Sequence, residues 1–310
     1  MLSRKSMLAA GTAAFAIPGA ARAQSAIVRF GASPAATQAE AFYAGQLGIF
    51  KDAGITTTNT LVTRSADTAP AMLRGDIDVG STSPQVLANA IIRGLPLQII
   101  ATGAIYAGDP PPVQLLVSKK APLHNDARAY EHATIAVQSL QDSQMLGVLA
   151  WFRQHRVPTN GVKFVEITFP TIPAALDRGE VQAGCMVEPF ISANADLIRE
   201  VPHAYDSLGF HWALGVWFAH RDWIAKDRSR ARNVVNALYA TAKRVNANPS
   251  SIDELLSGYS KVPIDKVRLT PKPIWAEKPE RSNIEPQLQA AAEFHIISRP
   301  VSYQEMTGVA

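Results

Sequence analysis

Leu73-Arg-Gly-Asp-Ile-Asp-Val-Gly80 and Asp177-Arg-Gly-Glu-Val-Gln-Ala-Gly184 carry one pattern twice, about 104 residues apart: Arg-Gly, an acid, then a short run ending in Gly. The match extends in both directions. Ile27-Val-Arg-Phe-Gly-Ala-Ser33 corresponds to Thr134-Ile-Ala-Val-Gln-Ser139, and the helical stretch ending Phe50-Lys-Asp-Ala-Gly-Ile55 corresponds to the one ending Phe152-Arg-Gln-His-Arg-Val157. The β-branched run to Thr63 likewise corresponds to the strand Lys163 to Thr168. Each module reads strand, helix, strand, helix, strand. Strands alternating with helices of this length predict a parallel sheet with right-handed crossovers. Gly75 and Gly179 fall where helix C-terminal caps are expected. The chain is therefore expected to form two related α/β lobes.

Open parallel sheets bind ligands beyond the carboxyl ends of their strands, where helix N-termini present free N–H groups. Ser33-Pro34 and Ser83-Pro84 each place a hydroxyl at an expected N-cap with Pro in the first helical position. Ser139-Leu-Gln-Asp-Ser143 and Val187-Glu-Pro-Phe190 occupy the equivalent places in the second module. Two readings stand for these residues: helix caps and loop braces, or ligand contacts converging on one cleft.

The N-terminus fixes an expected compartment. Arg4 and Lys5 precede the apolar stretch Met7 to Ile17 and the small-residue site Ala21-Arg22-Ala23, which predicts a secretory signal peptide cleaved before Gln24. Ser3-Arg4-Lys5 leaves both the general and the twin-arginine export routes open. No Cys follows the apolar stretch, so a soluble periplasmic protein without a lipid anchor is expected. Removing residues 1–23 takes three basic residues from a chain of 30 basic and 26 acidic, leaving a nearly neutral protein with no basic run for nucleic acid. Cys185, the sole cysteine, sits in an apolar run and reads as a buried small hydrophobe.

The passages Ala41 to Ile55, Leu73 to Gly80, Leu116-Val-Ser-Lys-Lys120, Val187-Glu-Pro189 and Val245-Asn-Ala-Asn-Pro249 resemble the nitrate, sulfonate and taurine family of ABC-transporter substrate-binding proteins, and also its thiamine-pyrimidine-precursor branch. The resemblance covers nearly all of the chain after the signal peptide. It implies a two-lobe periplasmic-binding-protein fold of type II character, with two parallel-rich sheets joined by a two-segment hinge. Lobe one would comprise 26–117 plus 215–310 and lobe two 118–214, crossed at Val113 to Ser118 and Ala213 to Ala219. C-terminal helices such as Ser229 to Asn246 would pack back on lobe one. The implied ligand contacts are Ser33, Ser81, Thr82, Ser83, Ser139, Gln141, Asp142, Ser143 and Glu188, with Tyr106 and Trp212 as stacking candidates.

The implied function is delivery of a small molecule to an ABC-importer permease and its ATPase, by a monomer that needs no cofactor. His203, His211 and His220 lack metal-ligand spacing, so no metal is expected. The mouth segments hold two carboxylates, Asp142 and Glu188, and no Lys or Arg. That balance favours an aminosulfonate or a nitrogen heterocycle over a bare anion. A periplasmic sensor facing a membrane receptor shares every one of these features. An enzyme on the same scaffold has neither a Gly-x-Ser-x-Gly elbow nor an identifiable base to support it.

Overall fold

The computed structural model describes residues 27–122 and 125–308. The expected signal peptide and its cleavage site at Ala23/Gln24 lie outside the described residues. Twelve strands are described: β1 (Val28–Ala32), β2 (Thr57–Leu61), β3 (Val79–Thr82), β4 (Leu97–Thr102), β5 (Ala104–Ile105), β6 (Val113–Ser118), β7 (Thr134–Val137), β8 (Lys163–Glu166), β9 (Ala183–Val187), β10 (Ile198–Glu200), β11 (Val216–His220) and β12 (Ile274–Trp275).

Ten of them build two five-stranded sheets, ordered β2-β1-β3-β11-β4 and β8-β7-β9-β6-β10. The internal echo is thus a repeat of topology. In each sheet the first strand of the module is parallel to the other two, and β11 or β6 is then added antiparallel beside the third. Helical crossovers return the chain to the same end of a sheet and force parallel pairing. A strand arriving from the other sheet is free of that constraint, which is why the sheets are mixed. β12 pairs with β5 in a small antiparallel ribbon beside the first sheet.

The expected crossing segments need correction. Val113–Ser118 is β6, paired on both sides inside the second sheet, and Val216–His220 is likewise an inner strand of the first. The chain passes between sheets at residues 106–112 and 201–215. These passages are tied to one another: the Tyr106 N–H donates to the Trp212 carbonyl at 2.8 Å, and the His211 N–H donates to the Tyr106 carbonyl at 2.8 Å.

Local signals decide the helix ends. Gly75 and Gly179 take φ of +78° and +73°, the left-handed conformation that glycine adopts without penalty. Behind each, two backbone bonds close the turn: Gly75 to Met72 and Asp76 to Ala71, Gly179 to Leu176 and Glu180 to Ala175. The helix Arg228–Ala247 buries Val234, Ala237 and Leu238 against Val28, Phe30, Val79 and Trp217. Burying Val234 and Leu238 stabilises by roughly 1.5–3 kcal/mol each, which holds the C-terminal part of the chain on the first sheet. Cys185 is fully buried in β9, and burial pushes its thiol far above the ordinary range, so it behaves as a small apolar residue.

Candidate functional site

β3 runs into Ser83, whose Oγ accepts the Val86 N–H at 3.3 Å and starts the helix Pro84–Ile92 with Pro84 in its first turn. β7 runs into Gln138-Ser-Leu-Gln-Asp142 at the matching place. Asp142 caps the helix Ser143–Gln154, its Oδ1 accepting from the Gln144 N–H at 2.9 Å and the Met145 N–H at 3.0 Å. Ser33 caps no helix, because the chain after Pro34 first enters a short 3-10 turn at Ala36–Gln38. Its N–H and hydroxyl both donate to Gln38 Oε1, at 3.1 and 2.9 Å.

The two sets of strand ends face each other across a cavity of about 20 Å³, room for about one water molecule. Gln38, Ser65 and Ser83 line it from the first sheet, and Gln138, Asp142, Ser143 and Gln144 from the second, with Phe169 and Val187 as apolar floor. The walls meet around it. The Ala36 N–H donates to the Glu188 carbonyl at 3.0 Å, and at the rim Arg64 pairs with Glu166 at 2.6 Å. Gln141, with φ of +63°, points outward and accepts from Asn89 at 3.4 Å.

Two buried acids set the electrostatics: no Lys or Arg lines the cavity, and Lys272 pulls Glu188 down from outside it. Burial pushes the Asp142 carboxyl up to about 7, against the backbone N–H groups of Met145 and Gln144 that pull it down. Burial also pushes Glu188 up to about 7, and its oxygens accept from the Ser192 N–H at 3.0 Å and the Ser192 hydroxyl at 2.9 Å. Glu188 therefore braces its own loop and meets the opposite wall through its backbone. Asp142 is a cap and a cavity wall at once, so the two readings of that residue are compatible.

The expected contacts divide. Ser83, Asp142 and Ser143 line the cavity. Thr82 and Ser139 lie one residue from its lining, each with a buried hydroxyl that has no hydrogen-bond partner among the described residues. Ser33 acts through Gln38, and Ser81 is a buried residue of β3. Tyr106 and Trp212 are placed elsewhere: they stack on each other at 5.1 Å between the crossing segments, and Tyr106 donates to Asp206 at 2.9 Å. Thr37, Gln38, Ser65, Gln138, Gln144 and Phe169 escaped the sequence reading. Gln138 and Gln144 could have been found from the Ser139 to Ser143 segment that they bracket. Among the described residues no group of three or more His, Cys, Asp or Glu side chains is placed to hold a metal ion.

A family model described as the NMT1-like family matches residues 21–257. No curated protein matches the sequence. Among solved structures, the chain is similar to the ligand-binding component of an ABC-type import system from Staphylococcus aureus, crystallised with zinc bound, at a TM-score of 0.80 and 13% identity over 91% of this chain and 96% of that one. It is similar to the alkanesulfonate-binding protein SsuA of Xanthomonas axonopodis pv. citri bound to MOPS, at 0.75 and 18% over 92% and 98%. It is also similar to the periplasmic nitrate-binding protein NrtA of Synechocystis PCC 6803, at 0.74 and 11% over 91% and 84%. At these identities the likeness is one of fold, the two-sheet α/β fold of periplasmic binding proteins.

Proposed function

The chain belongs to the NMT1-like family, and from that premise we propose that it is a solute-binding protein that closes two α/β lobes over a small organic molecule and hands it unchanged to an ABC-importer permease. The lobes are the two sheets with their helices, meeting near residues 106–112 and 201–215. The observation that carries the reading is the cavity itself, walled from both sheets by neutral hydrogen-bonding side chains and one acid, and by no residue arranged as a nucleophile with its base. Solved structures of the same fold whose names specify sulfonate or nitrate binding support it.

Ser65, Ser83, Ser143, Gln38 and Gln138 supply donors and acceptors without charge, which suits a sulfonate, an aminosulfonate or a nitrogen heterocycle. Asp142, poised near neutrality, accepts from an amino or ring N–H when ionised and donates to an oxyanion when protonated. The cavity is too small for any of these, so entry requires the walls to part. A signal peptide ending at Ala23 would place the protein in the periplasm, where such a role is exercised.

Mass spectrometry of small molecules released by denaturing the purified protein tests the proposal. The expected result is one organic compound in near-equal molar amount, bearing a sulfonate or a ring nitrogen. Recovery of a compound that the native protein converts into another would replace binding with catalysis.

A further inference from the structure

A cavity that takes no part in this proposed role lies beside the two crossing segments and measures about 440 Å³, within the range of roughly 300–1,000 Å³ usual for small-molecule sites. Its floor is aromatic and apolar: Tyr106, Tyr205, Val113 and Leu115 are all buried. The Tyr106 ring lies 6.2 Å from that of Tyr205 and is stacked at 5.6 Å on Phe210, which is 57% exposed at the mouth. Tyr106 is itself buried and also stacks on Trp212 at 5.1 Å, so the ring face open to a guest is the outer one of Phe210.

The rim is acidic. Asp109, Glu200 and Asp206 stand around the opening with His203, and no Lys or Arg lines the space. Asp206 is already engaged, accepting from the Tyr106 hydroxyl at 2.9 Å and lying 2.8 Å from His203 Nδ1. Glu200 makes no side-chain hydrogen bond among the described residues. Burial raises its carboxyl above the ordinary value; His203 pulls it down, and Asp206 and Asp109 push it up, so like charge has been gathered beside it at a cost.

We propose that this cavity is a second binding site, which takes a small organic cation with its charged nitrogen between Glu200 and Asp109 and its apolar body against Phe210, which Tyr106 backs. A cation relieves the repulsion among three carboxylates and gains the face of an aromatic ring, two effects that act on the same guest. Neither depends on what the cleft between the sheets binds.

Benzylamine, cationic at neutral pH, and benzyl alcohol, its uncharged counterpart, are the probes, titrated into the purified protein by calorimetry and ligand-observed NMR. Benzylamine is expected to bind at one saturable site, more weakly as salt is added, with benzyl alcohol at least about tenfold weaker. Glu200→Gln and Phe210→Ala should each weaken benzylamine by about tenfold, and Asp142→Asn, in the cleft, should leave it unchanged. Both altered residues stand at the rim, and where Phe210→Ala lowers the melting temperature, Glu200→Gln alone decides. Absence of saturable binding, equal binding of the alcohol, or sensitivity to Asp142→Asn without sensitivity to Glu200→Gln overturns the proposal.

Discussion

Asp142 serves the helix it caps and the cavity it walls, and the two duties respond differently to pH. Its carboxyl, ordinarily near 3.8, is pushed up to about 7 by burial, and Glu188 rises from 4.5 to about 7. Between about pH 4 and pH 7 the folded protein therefore holds protons that the unfolded chain has released, so stability falls as pH rises through this window and the full cost is present above it. Urea unfolding is expected to give a lower stability at pH 8 than at pH 5, and Asp142→Asn, equally good as a cap, should flatten that slope and gain about 1–3 kcal/mol at pH 8. An unchanged slope would remove Asp142 as its source. In calorimetry at pH 8 the same variant should bind a donor-bearing ligand about 10- to 100-fold more weakly and an anion more tightly, with the difference shrinking at pH 5. Ser83, Asp142 and Ser143 were legible because a cap just after a strand is a local pattern. Gln38 and Ser65 were not, since each sits in a short 3-10 turn held by its own neighbours, Ser33 for Gln38 and the Arg64–Asp67 box for Ser65, and lies on no helix or strand pattern. Tyr106 and Trp212 lie away from that cavity: an aromatic beside a chain crossing has two sides to face, and the packing of Tyr205 and Phe210 holds Tyr106 between the crossing segments.

At the scale of elements, repeated sequence became repeated geometry most faithfully at the two glycine caps. A Cβ on Gly75 or Gly179 would meet nothing within 4 Å, so the cost of replacing either is conformational alone. Gly75→Ala and Gly179→Ala should each lower stability by about 1 kcal/mol, and the double variant by about 2, because the sites lie against different sheets and share no partners. Denaturant titration of the three variants checks both size and additivity, and a much larger loss at either site would mean that the cap also holds tertiary contacts. The parallel strands were legible for the same local reason, the alternation of period-two runs with helical ones. The antiparallel partners β6 and β11 were not. Their pairing joins Leu115 to Cys185 and Phe218 to both Gly80 and Ile99, long-range matches that no short window carries. Reading those apolar runs as hinges recognised their place in the chain and missed their place in the sheets.

For the whole molecule, the proposed closing of the cleft leaves buried polar groups without partners unless something polar fills it. Buried hydroxyls of Thr82 and Ser139 have no partner in the closed walls, and each such group costs roughly 1–3 kcal/mol. The rim pair Arg64–Glu166, each side chain about a third exposed, offsets little of this, since surface pairs contribute about 0–1 kcal/mol. Ligand should therefore drive closure, and small-angle scattering is expected to show compaction when the compound recovered from the protein is added back. Glu166→Gln should leave the compact form intact with affinity reduced by less than about fivefold. A tight complex with an unchanged radius would rule out a clamshell. The strand order also dictates a calendar of assembly. β11 supplies the sole partner of β4 and separates it from β3, yet the ribosome makes it only after every strand of the second sheet. The second sheet can be complete while the first is still in two pieces, so β4 stays unpaired until the last third of the chain emerges, a delay that would suit the export proposed for this chain.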